Sequence, residues 1–478
     1  MPSTLPADVL VIFGITGDLA KKMTFRALYR LEAGGKLDCP IVGVAIDEWS
    51  LDQLREHGRE AIETTVKEPD EDVLDRLLGR ISYVQGDYAE AATFEHVAEA
   101  MRAAAGEPRS PVFYLEVPPA LFRTVVKRLS DAGLTDGGRV VIEKPFGHDL
   151  ESARKLNAEL HELLREEQIL RIDHYLGKEP VMDIAYLRFA NSVLEPVWNR
   201  EHVSLVQMTI AEDFGVEDRG RFYDAVGAMR DVIQNHALQV LSLIAMEPPA
   251  GNQKDSVRDK KLELFKAVRA ADPERYVRGQ YEGFREVPNV APDSTTETFA
   301  AVELAIDNWR WSGVPFFVRA GKNLPVKASE VTVVFRRPPK LGVGPGRLPE
   351  PNQLTVRIEP TPGARIRLFA KQAGEESFEP ADLEVLFEKV PGEDPEPYER
   401  LLGDALAGNP QLFTREDAVE ETWRIVQPLL DEPGPVHPYE PGTWGPKQAE
   451  DLTRGICSWF EPWLPEPSAA MQSGVLGF

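Results

Sequence analysis

The segment RIDHYLGKE (171–179) concentrates side chains that can hold an anion. His174, Tyr175 and Lys178 follow Asp173 and offer an imidazole, a phenol and an ammonium group within a few positions. Each charge-assisted hydrogen bond from such groups to a phosphate is worth roughly 1.5–3 kcal/mol. The residues before Asp173 are typical of a strand, so we expect the cluster at a strand's carboxyl end. A solvated surface charge is the alternative for any single lysine.

A second chemical signal lies near the start of the chain, where the apolar run DVLVIF (8–13) leads into GITGDLAKK (14–22). Gly14 and Gly17 bracket a predicted strand-to-helix turn, where the bare backbone can approach a pyrophosphate and the helix N-terminus offers N–H donors. Thr16 adds a hydroxyl group. The pattern is shorter than G-x-G-x-x-G, and an ordinary strand–helix turn is the alternative. Its place in the first unit of an α/β series favours dinucleotide binding.

The second predicted strand, PIVGVAI (40–46), is followed by Asp47. An acid at this edge can accept hydrogen bonds from the ribose 2′-hydroxyl of NAD, whereas a 2′-phosphate requires a cation. Asp47 lies farther from Gly14 than the usual ~20 residues, and a long intervening helix accounts for the difference. The sequence leaves a second interpretation open, in which Asp47 caps the helix that begins near Ser50 or Leu51.

These side chains need a scaffold, and the first third of the chain alternates strand-like and helix-like segments. Apolar runs such as PVFYLEVPP and RVVIEKPFG alternate with amphipathic stretches such as ALFRTVVKRLSDAG. This alternation predicts an α/β domain over 1–175, a Rossmann-like doubly wound parallel sheet. From about residue 297 strand patterns dominate, so an α+β domain over 176–478 is predicted, with a large, mostly antiparallel sheet and helices on one face.

Composition narrows the function classes. The 478 residues carry 54 Lys and Arg against 78 Asp and Glu, a formal net charge of −24. We therefore expect no nucleic-acid or membrane partner. Any anionic ligand must bind where positively charged side chains are locally concentrated. Two cysteines and the lack of a signal-like or membrane-length apolar segment predict a cytoplasmic protein. No HxH, HExxH or CxxC pairing occurs, so no catalytic metal is expected.

Four segments taken together resemble the glucose-6-phosphate dehydrogenase family: GITGDLAKK (14–22), EKPFG (143–147), RIDHYLGKE (171–179) and RDVIQNH (230–236). The resemblance continues through EDFGVEDRGRFYD (212–224), VPFFVRAGKNLPVK (314–327), LFTREDAVEETWRIV (412–426) and YEPGTWGP (439–446), and it spans nearly the whole chain. It implies an oxidoreductase that converts D-glucose 6-phosphate to 6-phospho-D-glucono-1,5-lactone with NADP or NAD, the first step of the oxidative pentose phosphate pathway. It also implies a homodimer or homotetramer formed through the second sheet.

The resemblance further implies that His236 is the base for the C1 hydroxyl and Asp173 its carboxylate partner. A histidine suits proton abstraction near neutral pH, and a carboxylate fixes its tautomer. Without the resemblance of RDVIQNH to the family, His236 would be interpreted as a structural histidine on a helix. Asp231 would be interpreted as an ordinary acid in the first turn of that helix. The implied substrate-binding residues are His174, Tyr175, Lys178, Lys322 and Lys327 for the phosphate, and Glu212 and Asp231 for the sugar hydroxyls. The implied cofactor-binding residues are Gly14, Thr16, Gly17, Asp18, Leu19, Asp47, Pro118, Lys144 and Pro145, with a cis bond between the last two.

One departure from the family pattern concerns the cofactor. NADP-using members carry an arginine at the end of the second strand, and this chain has Ile46 followed by Asp47. Isoleucine cannot pair with a 2′-phosphate, and an aspartate repels a group of charge about −1.5 to −2. We therefore hypothesise that NAD is well accepted. Lys21 and Lys22 could still reach a 2′-phosphate, which leaves NADP open.

Overall fold

A computed structural model of the chain describes residues 5–251, 255–339, 349–375, 377–387 and 395–465. It divides into two units. The first comprises Met1–Glu179, Pro249–Leu262 and Asp394–Glu421, and the second comprises Pro180–Pro248, Glu263–Glu393 and Thr422–Phe478. The two later segments that pack with the first unit were not predicted, because strand and helix periodicity does not indicate which distant segments pack together.

The first unit contains a fully parallel sheet in the order β3-β2-β1-β4-β5-β6. The strands are β1 (Val9–Phe13), β2 (Ile41–Ala45), β3 (Ile81–Gln85), β4 (Pro111–Leu115), β5 (Arg139–Glu143) and β6 (Ile169–Ile172). Every residue of β1 and β4 is buried, as expected for central strands covered on both faces. The order reverses between β1 and β4, where open α/β sheets bind ligands beyond the carboxyl ends of the strands. The predicted doubly wound sheet is confirmed.

The second unit contains a larger mixed sheet in the order β14-β13-β12-β11-β7-β10-β9-β8-β15. The strands are β7 (Val203–Ala211), β8 (Tyr276–Tyr281), β9 (Phe299–Leu304), β10 (Phe316–Gly321), β11 (Ala328–Phe335), β12 (Gln353–Glu359), β13 (Gly363–Lys371), β14 (Phe378–Leu386) and β15 (Val436–Tyr439). Most neighbours are antiparallel, which confirms the prediction, but β10 runs parallel to β7 and β15 parallel to β8. The parallel β7–β10 pair brings two carboxyl ends to the same edge.

The α-helices are α1 (Phe25–Ala33), α2 (Leu51–Thr65), α3 (Glu71–Gly79), α4 (Ala91–Ala105), α5 (Phe122–Asp131), α6 (Leu150–His161), α7 (His174–Gly177), α8 (Glu179–Phe189), α9 (Gly220–Ala228), α10 (Leu238–Ala245), α11 (Ser256–Ala267), α12 (Pro397–Ala407), α13 (Glu416–Asp431) and α14 (Ala449–Thr453). Two segments, Ala20–Thr24 and Met229–Ala237, form wider π-helical turns in place of the regular helix expected there. Within the described ranges, no helix combines the length and apolar character needed to cross a bilayer.

Candidate active site

The turn after β1 depends on glycine at two positions, Gly14 and Gly17. Gly14 has a φ of +85°, and a Cβ there would lie 2.3 Å from the carbonyl oxygen of Glu116. The Gly14 N–H donates to the Val44 carbonyl (2.8 Å), and the Gly17 N–H donates to the Gly14 carbonyl (2.9 Å). Gly17 and Asp18 are exposed, and Leu19 is half-buried. A backbone this bare at the carboxyl edge fits the pyrophosphate of a dinucleotide, which needs close approach to main-chain N–H groups.

Asp47 lies beside this turn. The Thr16 hydroxyl donates to Asp47 Oδ2 (2.6 Å), and the Tyr83 hydroxyl donates to the Asp47 carbonyl (2.7 Å). Helix α2 is capped by Ser50, whose Oγ accepts from the Gln53 N–H (3.2 Å). The interpretation of Asp47 as the helix cap is therefore wrong. Its carboxylate faces the glycine turn, at the edge where an adenosine ribose would lie.

Two acids at the ends of adjacent strands form a buried cluster that the sequence analysis missed. Tyr114 donates to Glu143 Oε1 (2.7 Å), and Tyr398 donates to Glu143 Oε2 (3.4 Å). Glu116 contacts the hydroxyl of Thr24, within the π-helical turn after the glycines. Burial raises the pKa of Glu116 to about 8 and that of Glu143 to about 7, and the charge of Glu143 adds to the shift at Glu116. The sequence signal that could have indicated this cluster is an acid at the end of each of two strands. Glu116 directly follows β4, and Glu143 is the last residue of β5.

The EKP segment continues from this cluster. Lys144 follows Glu143 directly and is half-buried, and the bond between Lys144 and Pro145 is cis, as expected. Pro118 is exposed in the turn that follows β4. These residues therefore share the carboxyl edge of the sheet with Gly14.

The predicted anion-binding cluster lies at the end of β6. Asp173 is buried and caps α7, with its Oδ1 accepting from the Tyr175 N–H (3.0 Å). The rings of His174 and Tyr175 have centroids 5.5 Å apart, and Lys178 Nζ lies 3.9 Å from the centre of the Tyr175 ring. The three predicted anion-binding side chains thus lie together, beyond the same sheet edge as the glycine turn. Gly177 permits close packing on α12, because a Cβ there would lie 2.5 Å from the Pro397 carbonyl oxygen.

In the second unit the parallel β7–β10 pair positions two of the predicted residues. Glu212 follows β7 and Lys322 follows β10, and Lys322 Nζ lies 2.6 Å from Glu212 Oε2. Lys322 Nζ is also 5.1 Å from the centre of the Tyr223 ring. Burial raises the pKa of Tyr223 well above its usual value, and the acids Asp231 and Glu212 raise it further. Tyr223 therefore lies at the centre of this group. The sequence analysis assigned no role to this tyrosine and indicated it only as part of the segment EDFGVEDRGRFYD.

His236 is 4% exposed and lies on the π-helical segment Met229–Ala237, whose first turn carries Asp231. Wider helical turns of this kind occur often at functional sites. Gln234, on the same segment, donates to the Thr422 hydroxyl (2.9 Å) and so anchors it to α13.

Lys327 is exposed, with its Nζ 3.7 Å from Glu359 Oε1. The second unit thus groups Glu212, Asp231 and Lys322 around one tyrosine, whereas Lys327 faces a different acid.

Comparison with known proteins gives a consistent result. The model of the glucose-6-phosphate dehydrogenase NAD-binding domain matches residues 11–183, and that of the C-terminal domain of the same family matches residues 185–460. The chain is 54% identical over 465 residues to glucose-6-phosphate 1-dehydrogenase 1 of Mycobacterium tuberculosis, covering 97% of this chain and 98% of the relative. The enzyme of that class from Bacillus subtilis is 37% identical over 480 residues, covering 94% and 96%.

Solved structures agree with these sequence matches. A crystal structure of glucose-6-phosphate 1-dehydrogenase from Mycobacterium avium superimposes with a TM-score of 0.91 at 54% identity, covering 97% of this chain and 100% of that one. A glucose-6-phosphate dehydrogenase in complex with its substrate glucose 6-phosphate superimposes with a TM-score of 0.89 at 34% identity and the same coverage.

Proposed function

The chain belongs to the glucose-6-phosphate dehydrogenase family, and we propose on that premise that it oxidises D-glucose 6-phosphate at C1 to 6-phospho-D-glucono-1,5-lactone. This reaction is the first step of the oxidative pentose phosphate pathway. The observation that carries the proposal is that one edge of one parallel sheet holds both the bare Gly14 turn and the cluster from Asp173 to Lys178. That edge can accept a dinucleotide and a phosphate ester next to each other.

Cofactor binding is assigned to the loops at this edge. The Gly14 and Gly17 N–H groups bond within the protein, so other backbone N–H groups of the turn would hold the pyrophosphate, with Thr16, Asp18 and Leu19 completing the turn. Asp47 would accept from a ribose hydroxyl, and Pro118, Lys144 and Pro145 would border the nicotinamide. When bound, the nicotinamide ring supplies the acceptor for the hydride that leaves C1.

Proton abstraction is assigned to His236. Its imidazole would take the proton of the C1 hydroxyl, which leaves the C1–H electron pair free to depart as hydride. Asp173 would orient the imidazole and stabilise the imidazolium that forms. Burial of both side chains supports these roles, because a carboxylate screened from water acts on a nearby imidazolium more strongly than one in solvent.

Substrate recognition is assigned by charge. His174, Tyr175 and Lys178 would hold the 6-phosphate in a protein whose net charge of −24 otherwise repels it. Lys322 and Lys327 are proposed as further positive charges for the phosphate. The remaining assignments are Glu212 and Asp231, whose carboxylates would accept hydrogen bonds from the sugar hydroxyls.

The proposed preference for NAD over NADP rests on the two residues that follow β2, Ile46 and Asp47. Ile46 is 61% exposed and offers no charge, and the neighbouring Asp47 is already hydrogen-bonded to the glycine turn. A 2′-phosphate placed there would meet a carboxylate, whereas a 2′-hydroxyl would donate to it. This supports good use of NAD, with NADP as the second cofactor. Lys21 and Lys22 are exposed on the segment after the glycine turn, and they are the cations proposed to reach a 2′-phosphate when NADP is used.

The test is an absorbance assay at about 340 nm for the reduced nicotinamide. Glucose 6-phosphate is offered with NAD and, separately, with NADP, and free glucose serves as the matched control without phosphate. We expect turnover of the phosphate ester and a kcat/KM for NAD at least comparable to that for NADP. Equal activity on free glucose would refute the phosphate site, and a large NADP advantage would refute the cofactor preference.

Two further assignments accompany the function. Assembly into a homodimer or homotetramer through the second sheet is proposed from the family, and light scattering coupled to size-exclusion chromatography measures it. A cytoplasmic location is proposed from the low cysteine count, and fractionation of the source cells tests it.

A further inference from the structure

Tyr83 lies on β3, at one edge of the parallel sheet, and the sequence analysis assigned it no role. Its side chain is half-buried, and its register partner on β2 is Gly43. The Tyr83 hydroxyl donates to the carbonyl oxygen of Asp47 (2.7 Å), beyond the end of β2. A side chain of one strand thus holds the main chain that follows the neighbouring strand, at the position proposed to meet the adenosine ribose.

The loop after β2 is held at two successive carbonyl groups. The Asp47 carbonyl also accepts from the Trp49 N–H (2.8 Å), which closes a tight three-residue turn. Gln85 Nε2 donates to the Ile46 carbonyl (3.3 Å). Tyr83 and Gln85 are two residues apart on β3, so both side chains leave the same side of the strand. The main chain at Ile46 and Asp47 is therefore fixed from β3.

The Asp47 carboxylate is held separately, from the glycine turn. The Thr16 hydroxyl donates its one hydrogen to Oδ2 (2.6 Å). Within the part of the chain that the structure describes, Oδ1 accepts no hydrogen bond from another residue. Tyr83 therefore fixes the main chain of Asp47 and Thr16 fixes one carboxylate oxygen, which leaves the other oxygen to accept from a ribose hydroxyl.

We propose that Tyr83 is a positioning residue for cofactor choice: by holding the main chain of Asp47, it presents the carboxylate to a ribose 2′-hydroxyl and against a 2′-phosphate. This inference rests on the proposed function, in which Asp47 accepts from the ribose of NAD. Without the Tyr83 hydroxyl, the Asp47 carbonyl keeps only its bond from Trp49, so the carboxylate becomes less ordered. Because an ordered acceptor loses less entropy on binding than a mobile one, the loss falls on NAD.

The protonation of the phenol supports this role. Burial raises the pKa of Tyr83 to about 12, and the charge of Asp47 adds to the shift. The hydroxyl therefore remains a hydrogen-bond donor throughout the pH range of an enzyme assay.

The experiment compares Y83F, which removes only the hydroxyl, with the matched control Y186F, which removes an exposed hydroxyl from α8. The kcat and KM for NAD and for NADP are measured with saturating glucose 6-phosphate, together with the melting temperature. We expect Y83F to raise the KM for NAD by about three- to tenfold, the effect of losing one hydrogen bond, with kcat nearly unchanged. The kcat/KM for NADP should stay the same or rise, because a less ordered carboxylate opposes a 2′-phosphate less. Y186F should match wild type in all of these measurements.

A double variant separates the role of Tyr83 from the proposed function. If Tyr83 acts through the Asp47 carboxylate, adding Y83F to D47A should not change the NAD to NADP ratio of kcat/KM any further. An unchanged ratio in Y83F, an equal loss for both cofactors, or a further change of the ratio in the D47A background would overturn the role of Tyr83.

D47A alone tests the premise, since an unchanged KM for NAD in that variant would refute the placement of the ribose at Asp47. Where a variant turns over too slowly for kinetics, fluorescence titration with each cofactor in the absence of substrate gives the same ratio from binding, and the same outcomes decide.

Discussion

The buried acid Glu116 makes a quantitative prediction about stability. Its pKa is raised by burial from 4.5 to about 8, so the folded protein keeps this proton at neutral pH whereas the unfolded chain loses it. The stability that the proton contributes is fully present below pH 4.5 and is lost as the pH rises toward 8. The substitution Glu116→Gln preserves the shape of the side chain and removes the ionisation.

The expected magnitude follows from linkage. Each pH unit between the two pKa values costs the folded state about 1.4 kcal/mol relative to the unfolded chain. From pH 5.5 to 7.5, wild type should therefore lose about 2.5 kcal/mol more than Glu116→Gln. Glu143 is present in both proteins, but its charge is one cause of the raised pKa of Glu116. The difference between the two pH dependences therefore reports the ionisation of Glu116 together with its coupling to Glu143.

Urea unfolding followed by tryptophan fluorescence measures the difference at both pH values. Glu95→Gln, on an exposed position of α4, is the control for loss of one carboxylate from the surface and should behave like wild type. Infrared spectroscopy provides a direct check, since the band of a protonated carboxylic acid at pH 7 should weaken in Glu116→Gln. Parallel pH dependences of wild type and Glu116→Gln would refute the reasoning.

Three kinetic predictions follow from the site. His236→Asn should lower kcat by about 10²–10⁴-fold with little change in the KM for glucose 6-phosphate, because it removes the proposed base; near-normal turnover in steady-state assays would exclude that role. Gly14→Ala should raise the cofactor KM and lower the melting temperature, because left-handed backbone strain of about 1–3 kcal/mol adds to the clash with the Glu116 carbonyl; unchanged cofactor binding in fluorescence titrations would contradict this. Ile46→Arg should raise the NADP to NAD ratio of kcat/KM by about tenfold or more, since a cation then meets the 2′-phosphate; an unchanged ratio would place that phosphate elsewhere.

Sequence patterns predicted the parts of this protein that depend on neighbouring residues. Apolar runs alternating with amphipathic stretches indicated the parallel sheet, because central strands need apolar side chains on both faces. The regular helix expected after Gly17 was only partly correct, since Ala20–Thr24 forms a wider turn before α1. The spacing of apolar residues over so few positions does not distinguish the two helix types.

The sequence by itself predicted where the chemistry would be carried: a glycine turn at Gly14 and a proposed anion-binding segment from Asp173 to Lys178, both contiguous in the chain. Only the tertiary structure decided which distant groups meet. It places Glu212 against Lys322, and it brings Glu116 and Glu143 close enough to interact electrostatically. The physical reason is that burial and charge act through space, so the protonation of these groups depends on packing that no local pattern specifies.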